Sequence, residues 1–176
     1  MCTSVPRKFT KKDGYTEIDL LQYGIDHLKS AKVLFEKHYD LYDSAGYLSH
    51  LGIEMILKAL LLNREGEFHG VHKLGFLLRC LNKYISLSKE QQKIVKKLDK
   101  FEGLRYPHPK KTVGIGDKDW DEVHSFALFL FESFPEELKD EFRNIDRNQK
   151  GGRILWQRPK NKIENLARRD LHISKK

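Results

Sequence analysis

The run Ala45-Gly46-Tyr47-Leu48-Ser49-His50-Leu51-Gly52-Ile53-Glu54-Met55-Ile56-Leu57-Lys58-Ala59-Leu60-Leu61-Leu62 is apolar on nearly every side when wound as a helix. A surface helix keeps one apolar stripe, whereas a helix apolar all round belongs at the centre of a bundle. Ser44 is the expected N-cap, and Asn63-Arg64-Glu65-Gly66 ends the helix with a basic last turn and a glycine beyond it. The most apolar part, Met55–Leu62, contains Lys58 and falls far short of the roughly 20 residues that span a bilayer. A polar row, Tyr47, His50, Glu54 and Lys58, runs along this helix at steps of three and four. Glu54 and Lys58 form an i,i+4 pair with the acid N-terminal, the favourable order. A charge inside an apolar helix must be paired or must face a cleft. The row His50, Glu54 and Lys58 therefore reads either as an ion pair that fixes helix register or as the polar lining of a groove.

Outward from this element the pattern stays helical. Upstream, Ile18, Leu21, Ile25, Leu28, Ala31 and Phe35 recur at helical spacing behind Thr16, a capping residue with Asp19 three positions on. Downstream, Leu74, Leu77, Leu78 and Leu81 predict a third helix from His72 to about Tyr84. Ser88 with Gln91 forms a capping box that opens a fourth helix, to about Phe101. Its Ile94, Val95, Leu98 and Phe101 face inward, and Lys93, Lys96, Lys97 and Lys100 make a basic outer stripe. Two prolines and three glycines between 102 and 118 read as a loop, and a connection that long is often functional. A fifth helix is expected from Asp119 to Phe134, with Trp120, Val123, Ala127 and Leu130 at core spacing. Pro135 suits the first turn of a short helix carrying Leu138, Phe142 and Ile145. No strand and no repeat stands out, so the expected fold class is all-α, an up-and-down antiparallel bundle of four to six helices.

The chain has 176 residues, 39% apolar, 33% charged and 11% aromatic, which fits one soluble domain with a real core. Cys2 and Cys80 are too far apart in sequence for a disulfide framework or a CxxC metal pair. The opening residues show no apolar signal segment, and the expected location is the cytoplasm, with no membrane partner. The net charge of +8 is unevenly placed. Arg7, Lys8, Lys11 and Lys12 sit near the start; Lys150, Arg153, Arg158, Lys160, Lys162, Arg168, Arg169, Lys175 and Lys176 crowd the end. The expected organisation is a basic arm at 1–15, a helical domain at 16–148 and a basic tail at 149–176. Basic ends on a near-neutral body suit either a polyanion or simple solubility.

Several chemistries are absent. Gly114-Ile115-Gly116 lacks the third glycine and the strand of a dinucleotide fingerprint. His69 and His72 have no evident third ligand, so neither a metal nor a cofactor is expected. Cys80, between Leu78 and Leu81, reads as a small core hydrophobe. What is present is Leu104-Arg105-Tyr106-Pro107-His108-Pro109-Lys110-Lys111. Arg105, Lys110 and Lys111 suit phosphate oxygens, Tyr106 can stack a base, and His108 can move a proton near neutral pH. Such a set serves metal-free RNA cleavage. It equally serves a structural loop in which Arg105 bonds acidic side chains or helix-terminal carbonyls.

These pieces together resemble the HEPN family (higher eukaryotes and prokaryotes nucleotide-binding domain). The run from Tyr47 to Leu62 resembles its central helix, with Glu54, Lys58, Ala59, Leu60 and Leu61 as a Glu-x-x-x-Lys-Ala-Leu-Leu motif. Gly70-Val71-His72-Lys73-Leu74 resembles its His-x-Leu opening of the next helix, and Leu104-Arg105-Tyr106-Pro107 sits where it places a functional arginine. The resemblance covers about residues 16–134. It implies a four-helix core with one or two short helices added, commonly a homodimer. Two functions follow from it. One is a metal-independent endoribonuclease of a toxin–antitoxin or phage-defence type, with Arg105 and His108 catalytic and Tyr106, Lys110 and Lys111 holding RNA. The other is a non-catalytic module that binds RNA, a nucleotide or a nucleotidyltransferase partner. The ribonuclease members carry Arg-x(4–6)-His, whereas only two residues separate Arg105 from His108 here.

Overall fold

The computed structural model describes residues 6–106, 113–116 and 118–148. They form α1 (Glu17–Lys37), α2 (Tyr42–Glu65), α3 (Leu74–Cys80), α4 (Lys89–Phe101), α5 (Asp119–Glu132) and α6 (Glu136–Asn148), with a short ladder of β1 (Lys8–Thr10) and β2 (Glu67–His69). The chain divides into residues Met1–Phe142 and Arg143–Lys176, and of the second unit only the last turns of α6 are described. The fold is an all-α bundle, as its periodicity predicts.

The central position of α2 follows from its composition. Ile53, Ile56, Leu57, Ala59, Leu60, Leu61 and Leu62 are all buried, on every side of the helix. The principal packing is against α1, whose buried residues Leu20, Leu21, Gly24, Leu28, Ala31 and Phe35 repeat at three- and four-residue steps. Thr16 caps α1 as expected: its hydroxyl accepts from the Asp19 N–H at 3.1 Å. Where α1 and α2 meet, two glycines let the backbones touch. A Cβ on Gly24 would lie 2.8 Å from the Gly52 carbonyl oxygen, and one on Gly52 would lie 2.7 Å from Leu28 Cγ.

The start of α2 differs from expectation. Ser44 lies inside the helix, which begins at Tyr42 without a side-chain cap, because the 3-10 turn Tyr39–Leu41 feeds directly into it. Its end is as expected: Gly66 takes φ 74°, and its N–H donates to the Leu62 carbonyl at 3.0 Å. A positive φ costs glycine little, which is why it stops helices.

The ladder was not anticipated. Phe9 stands opposite Phe68, and Tyr15 meets both rings edge-on. Lys8 pairs with Glu67 across the ladder. Three-residue strands carry too little alternation to declare themselves, and here aromatic packing supplies what the pattern lacks.

Helix α3 is shorter than predicted, starting at Leu74 rather than His72 and passing into turns after Cys80. The reason is remote: Asp99 of α4 accepts from the N–H groups of Leu74 at 2.7 Å and Gly75 at 3.2 Å, capping α3 from across the bundle. The Ser88–Gln91 capping box forms with both of its hydrogen bonds. The segment read as a loop from 102 opens instead with a 3-10 turn, Glu102–Arg105, that continues α4. This turn packs on the first half of α2, where a Cβ on Gly46 would lie 2.7 Å from Leu104 Cδ1. The basic stripe of α4 is partly engaged, since Lys97 pairs with Asp119 and, at 2.8 Å, with Glu122.

Candidate functional site

The polar row of α2 lies within the bundle. His50 and Glu54 are fully buried and Lys58 is 6% exposed. Helical spacing puts Lys58 one turn beyond Glu54, and its Nζ donates to Glu54 Oε1 at 2.5 Å. One turn the other way, His50 Nδ1 donates to the Leu98 carbonyl of α4 at 3.0 Å, which turns Nε2 toward Glu54 Oε2 at 3.6 Å. Phe68 of β2 covers the Lys58 ammonium at 5.7 Å from the ring centroid, so the ladder closes that end of the row.

The fourth member comes from outside α2. Because Asp99 starts α3 at Leu74, His72 stays in the preceding loop, and its Nδ1 lies 3.1 Å from both oxygens of Glu54. A carboxylate only accepts, so Nδ1 carries the proton. Unlike its partners, the His72 side chain is 64% exposed, and it is where the buried row reaches solvent.

Glu54 is therefore a buried carboxylate with three basic neighbours. Burial alone pushes its pKa up; the contact with His50, the charge and hydrogen bond of Lys58 and the bond from His72 outweigh this and hold it down at about 2. Half-buried His27 of α1 also feels Glu54. Burial lowers its pKa despite the opposing attraction of Asp26 and Glu54.

Next to His72, Lys73 bonds Glu102 Oε2 at 2.5 Å, linking this loop to the 3-10 turn that ends at Arg105. That bond, ahead of the opposing effect of burial, raises the Lys73 pKa and keeps the side chain cationic. Residues three apart in a 3-10 helix share a face, with a rise of about 6 Å between them. Glu102 and Arg105 thus stand on one edge of the turn. Arg105 is exposed, with its guanidinium 5.1 Å from the Tyr106 ring centroid, and Tyr106 is 69% exposed. Among the described residues no carboxylate pairs with Arg105. The structure thus brings His50, Glu54 and Lys58 together, and sets Arg105 and Tyr106 on the turn that Lys73 ties to them. His108, Lys110 and Lys111 lie outside the described residues.

The sequence reading missed His72, Lys73 and Glu102 as parts of this arrangement. Only the His-x-Leu motif hinted at His72, and spacing could not reveal its partner eighteen positions away in α2. His69, paired with His72 in the metal reading, goes elsewhere and sets its ring edge-on to Phe76. It also borders a hollow of about 180 Å³ at the C-terminal end of α2, lined by Leu61, Glu65, Glu67, Cys80 and Lys83.

No curated protein matches the chain. Among solved structures, TT1696 from Thermus thermophilus superposes with a TM-score of 0.57 at 23% identity, over 67% of this chain and 98% of that one. ST0689, described as an archaeal HEPN homologue, superposes with a TM-score of 0.50 at 19% identity, over 73% of this chain and 98% of that one. These similarities bear on fold. The model of the HEPN domain matches residues 18–146, from the first turn of α1 into α6, and the chain belongs to the HEPN domain family.

Proposed function

We propose that this HEPN domain binds RNA along the edge formed by Arg105, Tyr106 and Lys73. The observation that carries the reading is the exposed Arg105 guanidinium lying over the exposed Tyr106 ring with no carboxylate partner among the described residues. An arginine that held the fold together would be spent on an acid or a carbonyl. This one offers a planar fork for phosphate oxygens beside an aromatic face for a base. Lys73 stands on the loop tied to this turn through Glu102, and Lys110 and Lys111 follow Tyr106 in sequence.

The test is binding of a short single-stranded RNA across a salt series. Each phosphate contact contributes to the salt dependence, so Arg105→Ala is expected to weaken binding about tenfold and reduce the salt slope by about one. Tyr106→Ala should weaken it by about 1–3 kcal/mol with the slope unchanged. Equal binding by wild type and Arg105→Ala would refute the reading.

A finer reading adds cleavage of the bound strand without metal. Arg105 would stabilise charge at phosphorus, and an imidazole would take the 2′-hydroxyl proton. His108 is the imidazole nearest to Arg105 in sequence, two residues short of the family's ribonuclease spacing.

A further inference from the structure

We infer that the outer face of α4 is a second RNA-contacting surface, on which Lys89, Lys93, Lys96 and Lys100 hold the phosphate backbone of a base-paired stem. This surface presupposes the RNA-binding reading above and extends it from an unpaired nucleotide at Tyr106 to a double-helical segment beside it.

Helix geometry sets the row. At about 100° and 1.5 Å per residue, the four lysines fall within an arc of about 60° and span about 16 Å of axis, in steps of about 4.5–6 Å. All four are exposed. The Ser88–Gln91 capping box fixes where the helix starts, and buried Val95, Leu98 and Phe101 hold the opposite face in the core, so the row is fixed in register. The two acids of α4, Glu90 and Asp99, lie about 60° outside the arc. Asp99 is committed to capping α3.

Two observations separate this row from an ordinary solvated face. First, it is not neutralised. Among the described residues no acid pairs with any of the four. By contrast, Lys97 on the flank pairs with Asp119 and Glu122, and Lys11, Lys32 and Lys83 elsewhere meet Glu17, Glu36 and Glu65. Second, the arrangement works against its own helix. Lys89 and Lys93, Lys93 and Lys96, and Lys96 and Lys100 are like charges at i,i+4 or i,i+3, which repel. Lys89 is also the first residue of α4, at the positive end of the helix dipole. A face serving only solubility alternates its signs. A row that destabilises the free protein is relieved when a polyanion lies along it.

The chemistry of the face selects the ligand. Lysine is a compact point charge that suits phosphate oxygens, and no aromatic ring stands in the row to stack a base. Helical RNA keeps its bases stacked inside and presents phosphates and 2′-hydroxyls, which is what such a row can hold. Arg105 and Tyr106 offer the complementary chemistry, for an unpaired base and its phosphate. Helix α4 passes directly into the 3-10 turn Glu102–Arg105. Lys100 is thus about 9 Å along the axis from Arg105, and the two surfaces suit the stem and the unpaired part of one RNA.

The test is fluorescence anisotropy of the full chain with a short RNA hairpin and with an unstructured RNA of equal length, across a salt series. Lys93→Gln combined with Lys96→Gln should weaken hairpin binding about tenfold and lower its salt slope by about two, with less than about twofold change on the unstructured RNA. Lys32→Gln combined with Lys37→Gln removes the same charge from α1 and should change neither probe by more than about twofold. Relief of repulsion should leave the melting temperature of the α4 pair at or above that of wild type, and a fall would show these lysines serving the fold instead. Equal losses in the two pairs, or a loss on the unstructured RNA as large as on the hairpin, overturn the inference. Arg105→Ala still weakening the unstructured RNA would then leave the reading above standing. Binding of neither RNA by wild type overturns both.

Discussion

Replacing Lys58 with methionine isolates the electrostatic part of the buried row. Methionine keeps most of the apolar stem, so packing against Phe68 and the α2 core changes little. What disappears is the ammonium 2.5 Å from Glu54, leaving a fully buried carboxylate with two imidazoles for company. Breaking one side of a buried pair costs about 3–5 kcal/mol, most of it the penalty of an uncompensated charge. Lys58→Met should therefore destabilise the domain by about 3 kcal/mol. For an m-value of about 2 kcal/mol/M in urea, the unfolding midpoint by circular dichroism should fall by about 1.5 M. Adding Glu54→Gln removes the stranded charge, so the double variant should be more stable than Lys58→Met alone. A midpoint for Lys58→Met within about 0.3 M of wild type would refute this reasoning. The Glu54–Lys58 contact would then be a surface-like pair of no consequence.

Two further predictions concern the scaffold. Glu54 has its pKa depressed to about 2 from an ordinary 4.5. The stability it contributes, about 3 kcal/mol, is present above pH 4.5 and is lost as pH falls toward 2. Urea midpoints of wild type and Glu54→Gln should accordingly approach one another as pH falls from about 5 toward 2, and a constant difference would contradict the assignment. Gly52→Ala places a Cβ 2.7 Å from Leu28 Cγ and 2.9 Å from the Gly24 carbonyl. Overpacking of about 1–3 kcal/mol, offset by about 1 kcal/mol of helix propensity, should lower the melting temperature, and a rise would show that α1 yields easily.

The contrast between what the sequence discloses and what it conceals has a physical basis. Elements defined by local chemistry were legible: the Thr16 cap, the Ser88–Gln91 box, the Gly66 stop and the apolar girth of α2 all act within four residues of themselves. So was the Glu54–Lys58 pair, because one helical turn separates its members. Features decided across the chain were not legible. The cap of α3 comes from Asp99, the ladder brings Lys8 to His69, and the α1–α2 contact depends on Gly24 meeting Gly52. The site shows the same division. Arg105 and Tyr106 were visible as a motif, whereas His72 acquires meaning only when the loop before α3 reaches Glu54.

The most direct test of the central claim is an NMR titration of the ¹⁵N-labelled protein with a short oligoribonucleotide. The account predicts that the largest amide shifts fall on Glu102–Tyr106 and Val71–Lys73, the two segments joined by the Lys73–Glu102 bond. Shifts confined to Glu65–His69 and Lys83, around the hollow at the other end of α2, would contradict it.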